Sequence, residues 1–119
     1  MEFTSESSGT TLILTVAGRL SSAMADVFEH QVGLALDHKP AVLLVDFAGL
    51  EFITSAGLRI LILALKRAKA EGRQIHLCGL SEPVHEVFEV SGLVQIFPIH
   101  PGRAAALAAL ETGGGFPAR

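Results

Sequence analysis

The chain has a single cysteine, Cys78, and neither tryptophan nor tyrosine among its 119 residues. One thiol can neither close an internal disulfide nor supply a thiolate metal cluster. Basic charge is also scarce, with 9 Lys and Arg against 12 Asp and Glu and a formal net charge of −3. Nucleic-acid binding needs a field of phosphate-neutralising charge, which this balance does not provide. Apolar runs such as Ile60 to Leu65 fall far short of the ~20 residues that span a bilayer, so direct membrane insertion is not expected. The start, Met1-Glu2-Phe3, carries no basic segment leading into an apolar stretch and does not read as a signal peptide. A reducing cytoplasm is the expected compartment. No Gly-x-x-x-x-Gly-Lys or Gly-x-Gly-x-x-Gly sequence occurs, and no cofactor is expected.

What is present is apolar residue in quantity, 50% of the chain, enough for one core in one domain. That domain is expected over residues 1–112, with 113–119, opening on Gly113-Gly114-Gly115, as a flexible tail. Leu12, Leu14 and Val16 alternate with Thr11, Ile13 and Thr15, which predicts a strand; Ser7 to Thr10 would turn it back from a weaker strand around Phe3. After Gly18, Ser21 or Ser22 is placed to cap a helix with a stripe of Phe28, Val32, Ala35 and Leu36, ended by Lys39-Pro40. Ala41 to Phe47, apolar except for Asp46, reads as a strand buried on both faces. A second helix is expected from about Ser55 to Glu71, and a short strand over Gln74–Cys78. A third helix opens at Ser81-Glu82-Pro83, with Val84, Val87 and Phe88 inward, and closes at Ser91-Gly92. Ile96 to Ile99, with Pro98, is expected as an edge strand, and Ala104 to Leu110 as a last helix. Alternating strands and helices imply crossover units and a mainly parallel α/β sheet, with an antiparallel strand added at the start.

The segment Asp46-Phe47-Ala48-Gly49-Leu50-Glu51-Phe52-Ile53-Thr54-Ser55-Ala56-Gly57-Leu58-Arg59 leaves the buried strand, crosses a short loop and starts a helix at Thr54-Ser55. Backbone N–H groups in a helix's first turn lack carbonyl partners, and the macrodipole adds positive charge there. A hydroxyl at that point can cap the helix, and a phosphate can be held by the same groups. Phosphorylated Ser55 would add about 1.5–2 negative charges to the surface without unfolding the domain. Leu58, Leu61, Ile62, Leu65 and Ala68 form one stripe that should face the sheet. Ala56, Ile60, Leu63 and Arg67 fall on roughly the opposite side, flanked by Arg59 and Lys66, a mixture common in protein interfaces. The bland alternative is that Ile60 and Leu63 pack on a neighbouring helix. Asp46, at the end of its strand, is expected to hold the following loop through backbone N–H bonds.

This segment resembles the signature of the STAS domain, found in bacterial anti-sigma factor antagonists and at the end of some anion transporters. In that family a strand ends in Asp, a loop follows, and Asp-Ser-Ser/Thr-Gly-Leu opens the second helix; Ser55, followed by Ala56-Gly57-Leu58-Arg59, takes the place of the first serine. With Gly18-Arg19-Leu20 before the first helix and the order of elements, the resemblance covers nearly the whole chain. It implies a five-stranded sheet, mixed and mainly parallel, with about four helices packed mainly on one side. It also implies a cycle. The unmodified protein binds an anti-sigma factor that is also a serine kinase and frees a sigma factor; phosphorylation of Ser55 ends the complex, and a phosphatase resets it. Ser21, Thr54, Ser55, Ala56, Arg59, Ile60, Leu63 and Arg67 are the expected partner-binding residues, with Thr54 a second candidate acceptor. Thr54 and Ser21 stand where the family often has acids. The alternative within binding proteins is a non-phosphorylated STAS scaffold subunit in a transporter, secretion or two-component signalling complex.

Enzymatic readings are weaker. Ser55-Ala56-Gly57 matches half of the Gly-x-Ser-x-Gly elbow of serine hydrolases, but Ile53 replaces the first glycine and eight residues separate Asp46 from Ser55. His76, His85 and His100 follow the serine, yet the chain is short for a hydrolase sheet with a substrate pocket, and no catalytic residue is expected. None of the five histidines is spaced i, i+3 or i, i+4 from another histidine or from Cys78, so no metal site is expected either.

Overall fold

A computed structural model describes residues 1–111; the tail expected at 113–119 lies outside the described residues. Nine elements follow one another: β1 (Glu2–Ser8), β2 (Thr11–Leu20), α1 (Ala25–Asp37), β3 (Val42–Ile53), α2 (Ser55–Ala70), β4 (Gln74–Cys78), α3 (Glu82–Val90), β5 (Ile99–His100) and α4 (Arg103–Glu111). They build a five-stranded sheet in the order β1-β2-β3-β4-β5. β1 is antiparallel to β2 across a tight turn with Gly9 at φ 62, and the other strands are parallel. The architecture is the mixed, mainly parallel α/β sheet expected.

The two-residue period of the strands sorts their side chains between two layers. Leu12, Leu14, Val16, Leu43, Val45, Phe47, Ile75 and Leu77 point to one face and form the main core with α1, α2 and α3. There Phe28, Val32, Ala35 and Leu36 of α1 are buried, as are Val84 and Phe88 of α3. Ile13, Leu44 and Cys78 point the other way and meet Ala106 of α4. Three helices thus cover one face and the small, alanine-rich α4 covers the other.

Three local expectations are corrected. The loop expected after Phe47 is strand: β3 continues to Ile53, paired with β2 through two register shifts, the first between Thr15↔Asp46 and Ala17↔Gly49. Each shift is a bulge, which breaks the period-two pattern and therefore disguises the strand in the sequence. The edge strand is Ile99–His100, not Ile96–Ile99. The amides of Ile96 and Phe97 donate to Leu93 O in a 3-10 turn over Leu93–Gln95, so they are spent before a ladder can use them. Neither Ser21 nor Ser22 caps α1 by its side chain; a 3-10 turn, Ser22–Met24, intervenes. By contrast Ser81 Oγ accepts from Val84 N at the start of α3.

Candidate functional site

The end of β3 delivers Thr54 and Ser55 to the start of α2. Thr54 is the residue before the helix, in extended conformation (φ −99, ψ 171), as a capping position requires. Its hydroxyl does not cap. Thr54 N and Thr54 Oγ1 both donate to Leu20 O, at 3.1 and 3.2 Å, so the end of β2 is stitched to the start of α2 and Ser21 lies beside it. Ser55 is the first helical residue and is exposed; its hydroxyl has no hydrogen-bond partner among the described residues. A hydroxyl at that point is open to solvent and stands on a helix start that is anchored to β2.

Gly57 explains how tightly that base is closed. It is buried, and a Cβ there would stand 2.8 Å from Ile53 Cγ1 and 2.8 Å from Leu20 Cδ2. Alanine in place of glycine ordinarily favours a helix by about 1 kcal/mol, but overpacking at a closed contact costs about 1–3 kcal/mol. Gly57→Ala is therefore expected to lower the urea midpoint; a raised midpoint would mean that the two side chains yield.

Beside this start, Arg19 pairs with Phe52 across β2 and β3. Its guanidinium lies 4.2 Å from the centre of the Phe52 ring, and Nη1 is 3.5 Å from Glu51 Oε1. The bulged register puts these three residues together, and nothing in their linear order announces it.

Along α2, Leu58, Leu61, Leu65 and Ala68 are buried as expected, joined by Gly57 and Ala64, whereas Ile62 is only half-buried. Arg59 and Leu63 are exposed, Leu63 to 48%. Ile60 is half-buried and packs against the main core. Together with Leu63, Ala64 and Arg67 it lines a groove of about 240 Å³ whose other wall is Glu29, Val32, Gly33 and Leu36 of α1. Arg67 is committed within the domain, donating to Asp37 Oδ1 at 2.6 Å and to Glu71 Oε2 at 3.0 Å. Ser21, Thr54, Ser55, Ala56 and Arg59 therefore cluster around the start of α2, while Arg67 ties α2 to α1 three turns away.

Asp46 lies on the other face, under α4. Its Oδ1 accepts from Ala48 N at 3.0 Å, holding the first bulge, and its Oδ2 accepts from Arg103 Nε at 3.0 Å. Arg103 also donates to Thr15 Oγ1 at 2.6 Å and lies 3.2 Å from Glu6 Oε1. Cys78, fully buried in the same layer, has its thiol pushed up to about 12, first by burial and then by the Asp46 carboxylate; it is a core thiol, not a nucleophile.

Two histidines share that layer. Gln74 Oε1 can only accept, so it is His76 Nε2–H that donates to it, at 2.8 Å, and His76 Nδ1 then accepts from His100 Nε2 at 2.9 Å. Burial, and secondarily His100, push His76 down to about 4. An unfolded histidine titrates near 6.5, so between about pH 6.5 and 4 the unfolded chain binds the extra proton. Stability is then lost as pH falls through that window, at up to about 1.4 kcal/mol per pH unit. Urea midpoints at pH 7 and pH 5 should diverge more for this protein than for a His76→Gln variant; equal slopes would mean that His76 does not titrate in isolation. Among the described residues no group of three or more His, Cys, Asp or Glu side chains could hold a metal ion, and no helix is long and apolar enough to cross a membrane.

Known proteins resemble this chain in sequence and in fold. BtrV of Bordetella bronchiseptica, which carries the name of an anti-sigma factor antagonist, is 37% identical over 101 residues, spanning 85% of this chain and 87% of that protein. The crystal structure of an anti-sigma factor antagonist from Mycobacterium paratuberculosis superposes with a TM-score of 0.84 at 23% identity, over 92% of this chain and 93% of that one. SpoIIAA of Bacillus in its phosphorylated form superposes with a TM-score of 0.71 at 18% identity, over 92% and 99% of the two chains. The STAS domain model matches residues 2–106, and the chain belongs to the STAS domain family.

Proposed function

We propose that this protein is an anti-sigma factor antagonist that acts by binding and carries out no catalysis itself. In its unmodified form it binds an anti-sigma factor in the cytoplasm through the surface around the start of α2. That anti-sigma factor is also a serine kinase; phosphorylation of Ser55 by it ends the complex, and a phosphatase restores the hydroxyl. Residues 1–112 are the working unit.

The observation that carries this reading is Ser55 itself: exposed, without a hydrogen-bond partner among the described residues, and first in a helix whose start is fixed to Leu20 by two hydrogen bonds. The names of the relatives support it. An Anti-sigma F factor antagonist of Paenibacillus polymyxa is 28% identical over 101 residues, and SpoIIAA, an anti-sigma factor antagonist, has been solved in unphosphorylated and phosphorylated forms. Thr54 is the less suited acceptor, since its hydroxyl is engaged with Leu20 O.

Intact mass and phosphosite mapping of the protein from its native cells, growing and stressed, test the proposal. Phosphate on Ser55 that varies with condition is the expected result. Ser55 unmodified under both conditions would favour a STAS scaffold in a transporter, secretion or two-component complex, with Thr54 and Ser21 marking the loss of the switch.

A further inference from the structure

Four of the arginines among the described residues have carboxylate partners: Arg19 with Glu51, Arg67 with Asp37 and Glu71, Arg73 with Glu71, and Arg103 with Asp46 and Glu6. Arg59 is the exception, exposed and without a hydrogen bond or ion pair among the described residues. It stands four positions after Ser55 on α2, and Ser55 is exposed too. Side chains at i and i+4 of a helix are neighbours, with Cβ atoms about 5–6 Å apart. An anion placed N-terminal to the cation is the favourable order, and a guanidinium is shaped to hold two phosphoryl oxygens at once. The alternatives are poorly placed. Arg19 is already shared between Glu51 and Phe52, and Lys66 is 11 residues, or about 16 Å of helix, from Ser55. The helix carries no acidic residue; Arg67 is already paired with Asp37 and Glu71, while Arg59, Lys66 and Lys69 are exposed, so the charge the helix has free for a partner is positive.

We infer that Arg59 reads the state of Ser55: when the serine is free, its guanidinium is offered to an acidic group on the partner, and when the serine is phosphorylated, it folds back one turn and pairs with the phosphate. Modification then withdraws the cation that holds the partner as well as adding a repelling anion. The inference rests on the phosphoswitch proposed above, and it names the partner's chemistry as acidic at this point.

The test uses the full chain with phosphoserine incorporated genetically at position 55, followed by phosphorus NMR across pH. The second ionisation of the phosphate is expected about 0.3 of a unit lower beside Arg59 than in Arg59→Gln, the size of a helical ion pair, with Arg59→Lys in between. Identical titrations in all three proteins would overturn the pairing. In a second measurement, unphosphorylated Arg59→Gln is expected to bind the anti-sigma factor at least about tenfold more weakly; unchanged affinity would overturn the docking role. The NMR measurement needs neither kinase nor partner. A shifted titration with no phosphate on Ser55 in cells would therefore count against the switch alone, while equal titrations with Ser55 phosphorylated in cells would count against Arg59 alone.

Discussion

Phosphorylation of Ser55 is expected to weaken binding to the anti-sigma factor more than a hundredfold, with Ser55→Asp lowering affinity in the same direction and Ser55→Ala binding constitutively. The serine is exposed at the first position of α2, so its phosphate would not disturb the core, and the folded domain should survive modification. The penalty falls on the complex. A partner that covers Ser55 must desolvate about two negative charges, of which Arg59 can match only one, and a buried charge left without a counterion costs about 3–5 kcal/mol. Each 1.4 kcal/mol is tenfold in affinity. Calorimetric titration of the anti-sigma factor with the wild type and both variants checks this. Equal affinities for Ser55→Ala and Ser55→Asp would count against a charge mechanism and leave Ser55 as a position on the helix with no switching role.

The second large effect concerns the opposite face of the sheet. Arg103→Ala is expected to destabilise the domain by about 3 kcal/mol. The Asp46 side chain is only 8% exposed, and without Arg103 it retains the Ala48 amide but no positive charge. Removing one partner of a buried pair typically costs about 3–5 kcal/mol; the partial exposure of Arg103 places the expectation at the lower end. Arg103 also joins α4 to Thr15 on β2 and Glu6 on β1, so its loss should loosen the helix that covers Ile13, Leu44 and Cys78. Urea unfolding with amide exchange over α4 would report both. A loss below about 1 kcal/mol would place the pair with ordinary surface ion pairs. Asp46→Asn should likewise lower stability more than partner affinity, because its carboxylate faces α4 and not the surface around Ser55. Reduced affinity with intact stability would reverse that assignment.

The parts of this protein that were legible in the sequence are those whose information is local. The stripe of Phe28, Val32, Ala35 and Leu36 needs only the helical period to be read, and all four are buried. Ser81-Glu82-Pro83 marks the start of α3 because capping chemistry is confined to one turn. The run from Asp46 to Arg59 carries the family signature in consecutive residues. What was not legible depends on contacts between distant positions. Arg103 is 57 residues from Asp46 and 88 from Thr15. Ile60 and Arg67, placed by the helix wheel on an outward face, turn towards α1 because a second helix lies beside α2 and no wheel drawn for one helix contains its neighbour. The extension of β3 to Ile53 was hidden by its own bulges.

Sequence alone therefore determined the class of fold, the order of its elements and the position of Ser55 at the start of a helix, since hydrophobic period, capping residues and a contiguous motif act over a few residues. The tertiary structure decided which hydroxyl is free and which is held, since Thr54 and Leu20 meet only when β2 and β3 pair in register. It also decided which of the arginines among the described residues are already engaged, leaving Arg59 without a partner among those residues beside Ser55. Hydrogen bonds and ion pairs form where the folded backbone brings their groups within about 3 Å, and that proximity is a property of the packed sheet and helices, not of the order of residues along the chain.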